Sequence, residues 1–94
     1  MTIRTTNNNG IHLTTKCGVI FSLQFGYGTY SDNYDNRTLQ HDYKSRAESC
    51  TCEVMVCRDN DIVTSEFFSD AEHKVTNRSS LREVMNKIME IENG

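Results

Sequence analysis

The chain contains no proline and no tryptophan among its 94 residues. No apolar run approaches the about 20 residues that a bilayer-spanning helix needs, so no membrane partner is expected. Apolar residues make up only 36%, below the usual ~45–50%, although that reference count includes glycine. Positive charge is also short: ten Lys and Arg face thirteen Asp and Glu, for a net charge of −3. That balance excludes a basic nucleic-acid binder working by phosphate neutralisation, so no direct nucleic-acid partner is expected. The acids are too dilute and too mixed with bases to mimic DNA. Met1 to Gly10 is polar and carries no apolar secretory segment, which sets a cytoplasmic expectation. The length fits one domain over 1–94 with a thin core, burying about 60–65% of the surface its unfolded form exposes.

Four cysteines stand at 17, 50, 52 and 57. In a reducing compartment they read as small buried or half-buried thiols. A zinc site usually draws on two C-x2-4-C pairs, whereas here Cys50 and Cys52 form a C-x-C with Cys57 and a distant Cys17. In an extended strand Cys50 and Cys52 point to one face and Cys57 to the other, which works against a shared metal. No metal and no cofactor is expected. The sequons at Asn36 and Asn77 carry weight only in a secreted chain.

The ordered segments follow from hydrophobic period. Thr2 to Gly10 is rich in Thr and Asn and closes on the turn signal Asn9-Gly10. Ile11, Leu13 and Thr15 alternate with His12 and Thr14, as in a first strand. After a tight connection at Cys17-Gly18 comes the clearest strand. Val19, Phe21, Leu23 and Phe25 share its core face, and Ile20, Ser22 and Gln24 share the other. These two strands form a hairpin. A second hairpin begins at Cys50, where Cys52, Val54 and Val56 alternate with Glu53, Met55 and Cys57. It turns at Asp59-Asn60-Asp61 and returns over Ile62 to Phe68. A fifth strand is expected around His73 to Val75.

Ser80 and Glu83 have the spacing of an S-x-x-E capping box. Leu81, Val84, Met85 and Ile88, with Ile91 or Met89, then make an apolar stripe at helical spacing, and Gly94 sits at the stop. A sheet with one apolar face needs such a cover. The expected fold is therefore α+β: an antiparallel sheet of four or five strands in two hairpins, with one C-terminal helix packed on one face.

Between the hairpins, from Gly26 to Ser49, the pattern disappears for 24 residues. A loop that long inside a compact domain is uncommon and usually functional or disordered. All four tyrosines (27, 30, 34 and 43) lie in it, against the aromatic-poor composition of disordered tracts. Tyr and Arg most often carry interface energy, and Tyr with Ser, Gly and Asn is the palette of adaptable recognition loops. The candidate partner-binding residues are Tyr27, Tyr30, Asp32, Asn33, Tyr34, Asn36 and Arg37. The simpler reading has some of the tyrosines packing back on the sheet to fix the loop.

Catalysis is less well supported. His12, His41 and His73 lie far apart and in no local motif. Asp32, Asp35 and Asp42 can be imagined as a carboxylate site, but solvated loop acids are the simpler reading. Gly26-Tyr27-Gly28 lacks the lysine of a P-loop and the spacing of a dinucleotide fingerprint. No enzyme is expected, and a small metal-dependent hydrolase or nuclease ranks third. A nucleotide ligand suits stacking on Tyr27 or Tyr30 with Arg37 on a phosphate, aided by Lys44 and Arg46. Two chains would double that charge. Apolar surface around Met55, Ile20 and Ser22 would suit a partner copy, so a homodimer is expected.

The stretch Phe21 to Asn33, Phe-Ser-Leu-Gln-Phe-Gly-Tyr-Gly-Thr-Tyr-Ser-Asp-Asn, resembles a segment of small proteins from bacteriophages and other mobile elements. Those proteins open with a hairpin, carry a strand ending in an aromatic-Gly-x-Gly turn and close with a helix. The likeness covers about a third of the chain. Its general character is similar to phage counter-defence proteins, including anti-CRISPR proteins and sponges for cyclic-nucleotide signals. The resemblance implies a non-catalytic inhibitor in the host cytoplasm that binds and blocks a host defence complex through 26–49. A nucleotide-signal-binding sponge is the alternative. No site residue transfers from the resemblance.

Overall fold

The computed structural model describes residues 1–6, 10–25 and 50–94. The fold is α+β, an antiparallel sheet covered on one face by a C-terminal helix. The strands are β1 (Thr2–Thr5), β2 (Gly10–Thr14), β3 (Ile20–Gln24), β4 (Thr51–Arg58), β5 (Asp61–Ile62) and β6 (Asn77–Ser80). A helical turn α1 (Thr64–Phe67) and a long helix α2 (Leu81–Asn93) complete the described elements. The first four strands pair in sequence order, and β5 and β6 share the outer edge of β4.

Alternation decides which side chains meet the helix. Register sets Leu13, Phe21 and Val56 in one row, and Ile11, Leu23 and Val54 in the next. These rows pack with Val19, Cys52, Phe68, Val84 and Ile88 in one core. Burying an aliphatic or aromatic side chain of this size stabilises by roughly 1.5–3 kcal/mol. Phe67 of α1 meets Phe21 edge-on, with ring centroids 5.5 Å apart. Ser80 caps α2 by accepting the Glu83 amide at 3.2 Å. At its other end, the Lys16 amide donates to Glu92 Oε1 (2.7 Å) and Lys16 Nζ to the Gly94 carbonyl (3.1 Å), tying α2 to the β2–β3 turn. Gly18 in that turn has φ +85, a conformation that suits glycine.

Four sequence expectations are corrected. Thr2–Thr5 is a strand rather than part of a polar lead-in, because it pairs with β2 over its whole length. The expected return strand over 62–68 stops after Ile62 and becomes α1. The strand expected at His73 to Val75 is a turn, with positive φ at His73 and Lys74, and the strand follows at Asn77–Ser80. On α2, Val84 and Ile88 are buried while Met85 and Ile91 pack at the margin. Leu81 and Met89, however, are 58% and 44% exposed. Leu81 is the first helical residue after β6.

The early end of β5 has a local cause. Asp59 and Asn60 both take left-handed φ (52 and 69), the requirement of the tight hairpin turn whose twist matches paired strands. That turn brings Val63 onto β4, where its amide donates to the Val56 carbonyl at 2.7 Å. The next residue turns the chain into α1. Thr64, fully buried, accepts the Val56 amide at 2.9 Å and donates to the Val75 carbonyl at 2.7 Å. Its hydroxyl thereby fills the gap in the β4 edge between β5 and β6.

Thr64→Val should therefore cost about 2–3 kcal/mol, because the buried Val56 amide loses its partner while shape is kept. Thr64→Ser keeps the hydroxyl and loses one methyl, and should cost about 1 kcal/mol. Urea denaturation distinguishes the two; equal losses would mean that packing rather than the hydrogen bonds dominates.

Candidate functional site

The long polar segment is fastened into the middle of the sheet. Strands β3 and β4 pair directly, from Ile20 opposite Cys57 to Gln24 opposite Glu53. The chain leaves β3 at Gln24 and re-enters at Thr51, so both ends of the intervening segment are held by adjacent central strands. The two expected hairpins are thus neighbours in one continuous ladder. Closing a loop between ends already held together becomes only slowly costlier with length.

The face of the sheet away from α2 begins with Arg4, His12, Ser22 and Met55 in one row and Gly10, Gln24 and Glu53 in the next. Ser22 is only 8% exposed, and Ile20 and Met55 are half-buried. The apolar strip expected around Met55, Ile20 and Ser22 is correspondingly small. More open apolar side chains lie elsewhere, on Ile3 of β1 and Ile62 of β5.

Where β3 ends, this face is hollowed. A depression of about 340 Å³ is lined, among the described residues, by Arg4, Thr5, Thr6, His12 and Gln24. Gly10 permits the close approach of β2 to β3 here, since a Cβ at this position would run into the Leu23 carbonyl. Arg4 Nη2 lies 2.7 Å from His12 Nδ1. A guanidinium only donates, so Nδ1 accepts, and the neutral imidazole carries its proton on Nε2. The side-chain donors of the hollow are thus the remaining Arg4 N–H groups, His12 Nε2–H and the Gln24 amide. Sequence reading missed it because Arg4 and His12, eight residues apart, meet only through the β1–β2 register.

The residues singled out from sequence, Tyr27, Tyr30, Asp32, Asn33, Tyr34, Asn36 and Arg37, lie outside the described residues, as do Tyr43, Asp35, His41, Asp42, Lys44 and Arg46. His73 stands at an exposed turn with Nε2 3.3 Å from Glu72 Oε1. Among the described residues no three His, Cys, Asp or Glu side chains gather closely enough to hold a metal ion. No helix among them is long and apolar enough to cross a membrane.

The cysteines are free thiols in different settings. Cys52 lies in the core and its Sγ donates to the Ser79 carbonyl at 3.5 Å. Cys57 is half-buried on the opposite face, and Cys17 and Cys50 are exposed. Thr15 Oγ1 sits 3.4 Å from Cys17 Sγ and also bonds the Val19 backbone at both amide and carbonyl. Hydrogen bonding from the Thr15 hydroxyl, then from the Val19 backbone, lowers the Cys17 pKa by favouring the thiolate. The hydroxyl has one proton, so it turns from the Val19 carbonyl to the sulfur as the thiolate forms. Burial, with a smaller contribution from Glu83, pushes the Cys52 thiol up to about 11.

No family model, curated protein or solved structure matches the chain.

Two predictions follow from the thiols. Thr15→Val should shift the pH profile of Cys17 alkylation to higher pH, whereas Thr15→Ser should leave it in place; peptide mapping by mass spectrometry reads both. An unchanged profile in Thr15→Val would remove the role of the hydroxyl. For Cys52, the folded state holds its proton through the range where the unfolded thiol, near 9, has lost it. Stability should therefore fall as pH rises from about 9 to about 11, and Cys52→Ala should flatten that part of the curve. Chemical denaturation across this range measures the difference.

Proposed function

We propose that this protein is a non-catalytic inhibitor of the phage counter-defence type, which docks residues 26–49 on a host protein complex and blocks it. One observation carries the reading: the segment that holds all four tyrosines is inserted between the paired central strands β3 and β4, whose register runs up to Gln24 and Glu53. Such an attachment displays a recognition loop from the best-buried part of a small scaffold, where rigid support lowers the ordering cost of binding. Tyr27, Tyr30 and Tyr34 supply flat amphipathic surface, Asn33 and Asn36 supply donors and acceptors, and Arg37 with Asp32 supplies charge for register. The stretch that resembles phage proteins, Phe21 to Asn33, begins in β3.

Tyr30→Ala and Arg37→Ala should each weaken capture of the host complex by at least about tenfold, the scale of an interface hot spot. The melting temperature should stay within a few degrees of the parent. Capture unaffected by either exchange, or by both together, would overturn the proposal.

A further inference from the structure

The hollow on the face away from α2 carries a second inference, independent of what residues 26–49 do. We propose that Arg4, His12 and Gln24 form a binding site for the phosphate monoester of a small molecule.

The argument starts from donors. Arg4 stands on exposed strand β1, and among the described residues its polar contact is to His12, a neutral ring, rather than to a carboxylate. Its positive charge is therefore positioned without being neutralised by that contact. The His12 contact fixes the guanidinium plane through one N–H and leaves the others to a ligand. It also fixes the imidazole tautomer, so that Nε2 is a donor. Gln24 brings an amide that can turn its NH₂ inward.

Donor number and spread select the ligand class. A carboxylate offers two coplanar oxygens, which a single arginine fork satisfies. A phosphate monoester offers three terminal oxygens arranged tetrahedrally, matching donors that come from β1, β2 and β3 at once. The volume, about 340 Å³, lies at the lower end of small-molecule pockets. It accommodates a phosphate and a modest attached group.

Among the described residues, the nearest acid on this face by register is Glu53, which sits beside Gln24 on the strand farther from Arg4 and has Arg78 as its register partner on the other side.

The test is a nuclear magnetic resonance titration of the full chain. Three probes are added separately: inorganic phosphate, a nucleoside 5′-monophosphate and acetate. Saturable shifts centred on Arg4, Thr6, His12 and Gln24 are expected with both phosphate probes and only weakly with acetate. Arg4→Ala should reduce phosphate affinity at least about tenfold, because a charge-assisted bond is lost. Arg4→Lys should lose less, and Lys16→Ala, at the opposite end of β2, should lose nothing. The spectrum of each variant establishes that it is folded. Shifts spread over the surface, equal binding by Arg4→Ala, or acetate matching phosphate would each overturn the proposal.

Discussion

A single buried hydroxyl holds the outer edge of the central strand together. Strand β4 is eight residues long, but neither partner on its far side spans it. Strand β5 covers Cys57 and Arg58, and β6 covers Thr51 to Val54. Val56 lies beyond both, with amide and carbonyl directed at the gap. An unpaired amide there would carry the full penalty of a desolvated polar group. Val63 and Thr64 meet both groups, and Thr64 also reaches the Val75 carbonyl. One side chain thus links β4, the start of α1 and the turn that leads into β6.

That closure shapes the two faces. Because the edge is sealed by α1 rather than by a long strand, Phe67 reaches Phe21 and Phe68 enters the core under the sheet. Arg58 lies over the Phe67 ring at 5.9 Å and pairs with Glu66 at 3.0 Å, shielding the outside of the turn. Helix α2 then needs only Val84 and Ile88 fully buried to complete the core. The other face carries Arg4, His12, Ser22 and Gln24 beside Ile20 and Met55, and it is there, at the end of β3, that Arg4, His12 and Gln24 converge.

The parts legible in the sequence are those set by local period. Phe21 and Leu23, Val54 and Val56, and the capped helix from Ser80 to Gly94 all follow from alternation or helical spacing. The parts that were not legible depend on tertiary pairing. Strand β1 offers a single apolar residue, Ile3, which is 69% exposed, so no alternation marks it. Strand β6 turns Asn77 and Ser79 inward, joined by a hydrogen bond from the Asn77 amide to the Ser79 hydroxyl. It is therefore a strand without an apolar face. The run from Ile62 to Phe68 has strand-like residues, yet the bond from Val56 to Thr64 turns it into helix. The same reason hid the Arg4–His12 pair, while the aromatic segment was conspicuous by composition alone.

Native-state amide hydrogen exchange at Val56 tests the sealed edge most directly. The account predicts that this amide exchanges as slowly as those in the β3–β4 ladder, opening only when the whole domain unfolds. Exchange at the rate of a solvent-exposed edge amide would contradict it.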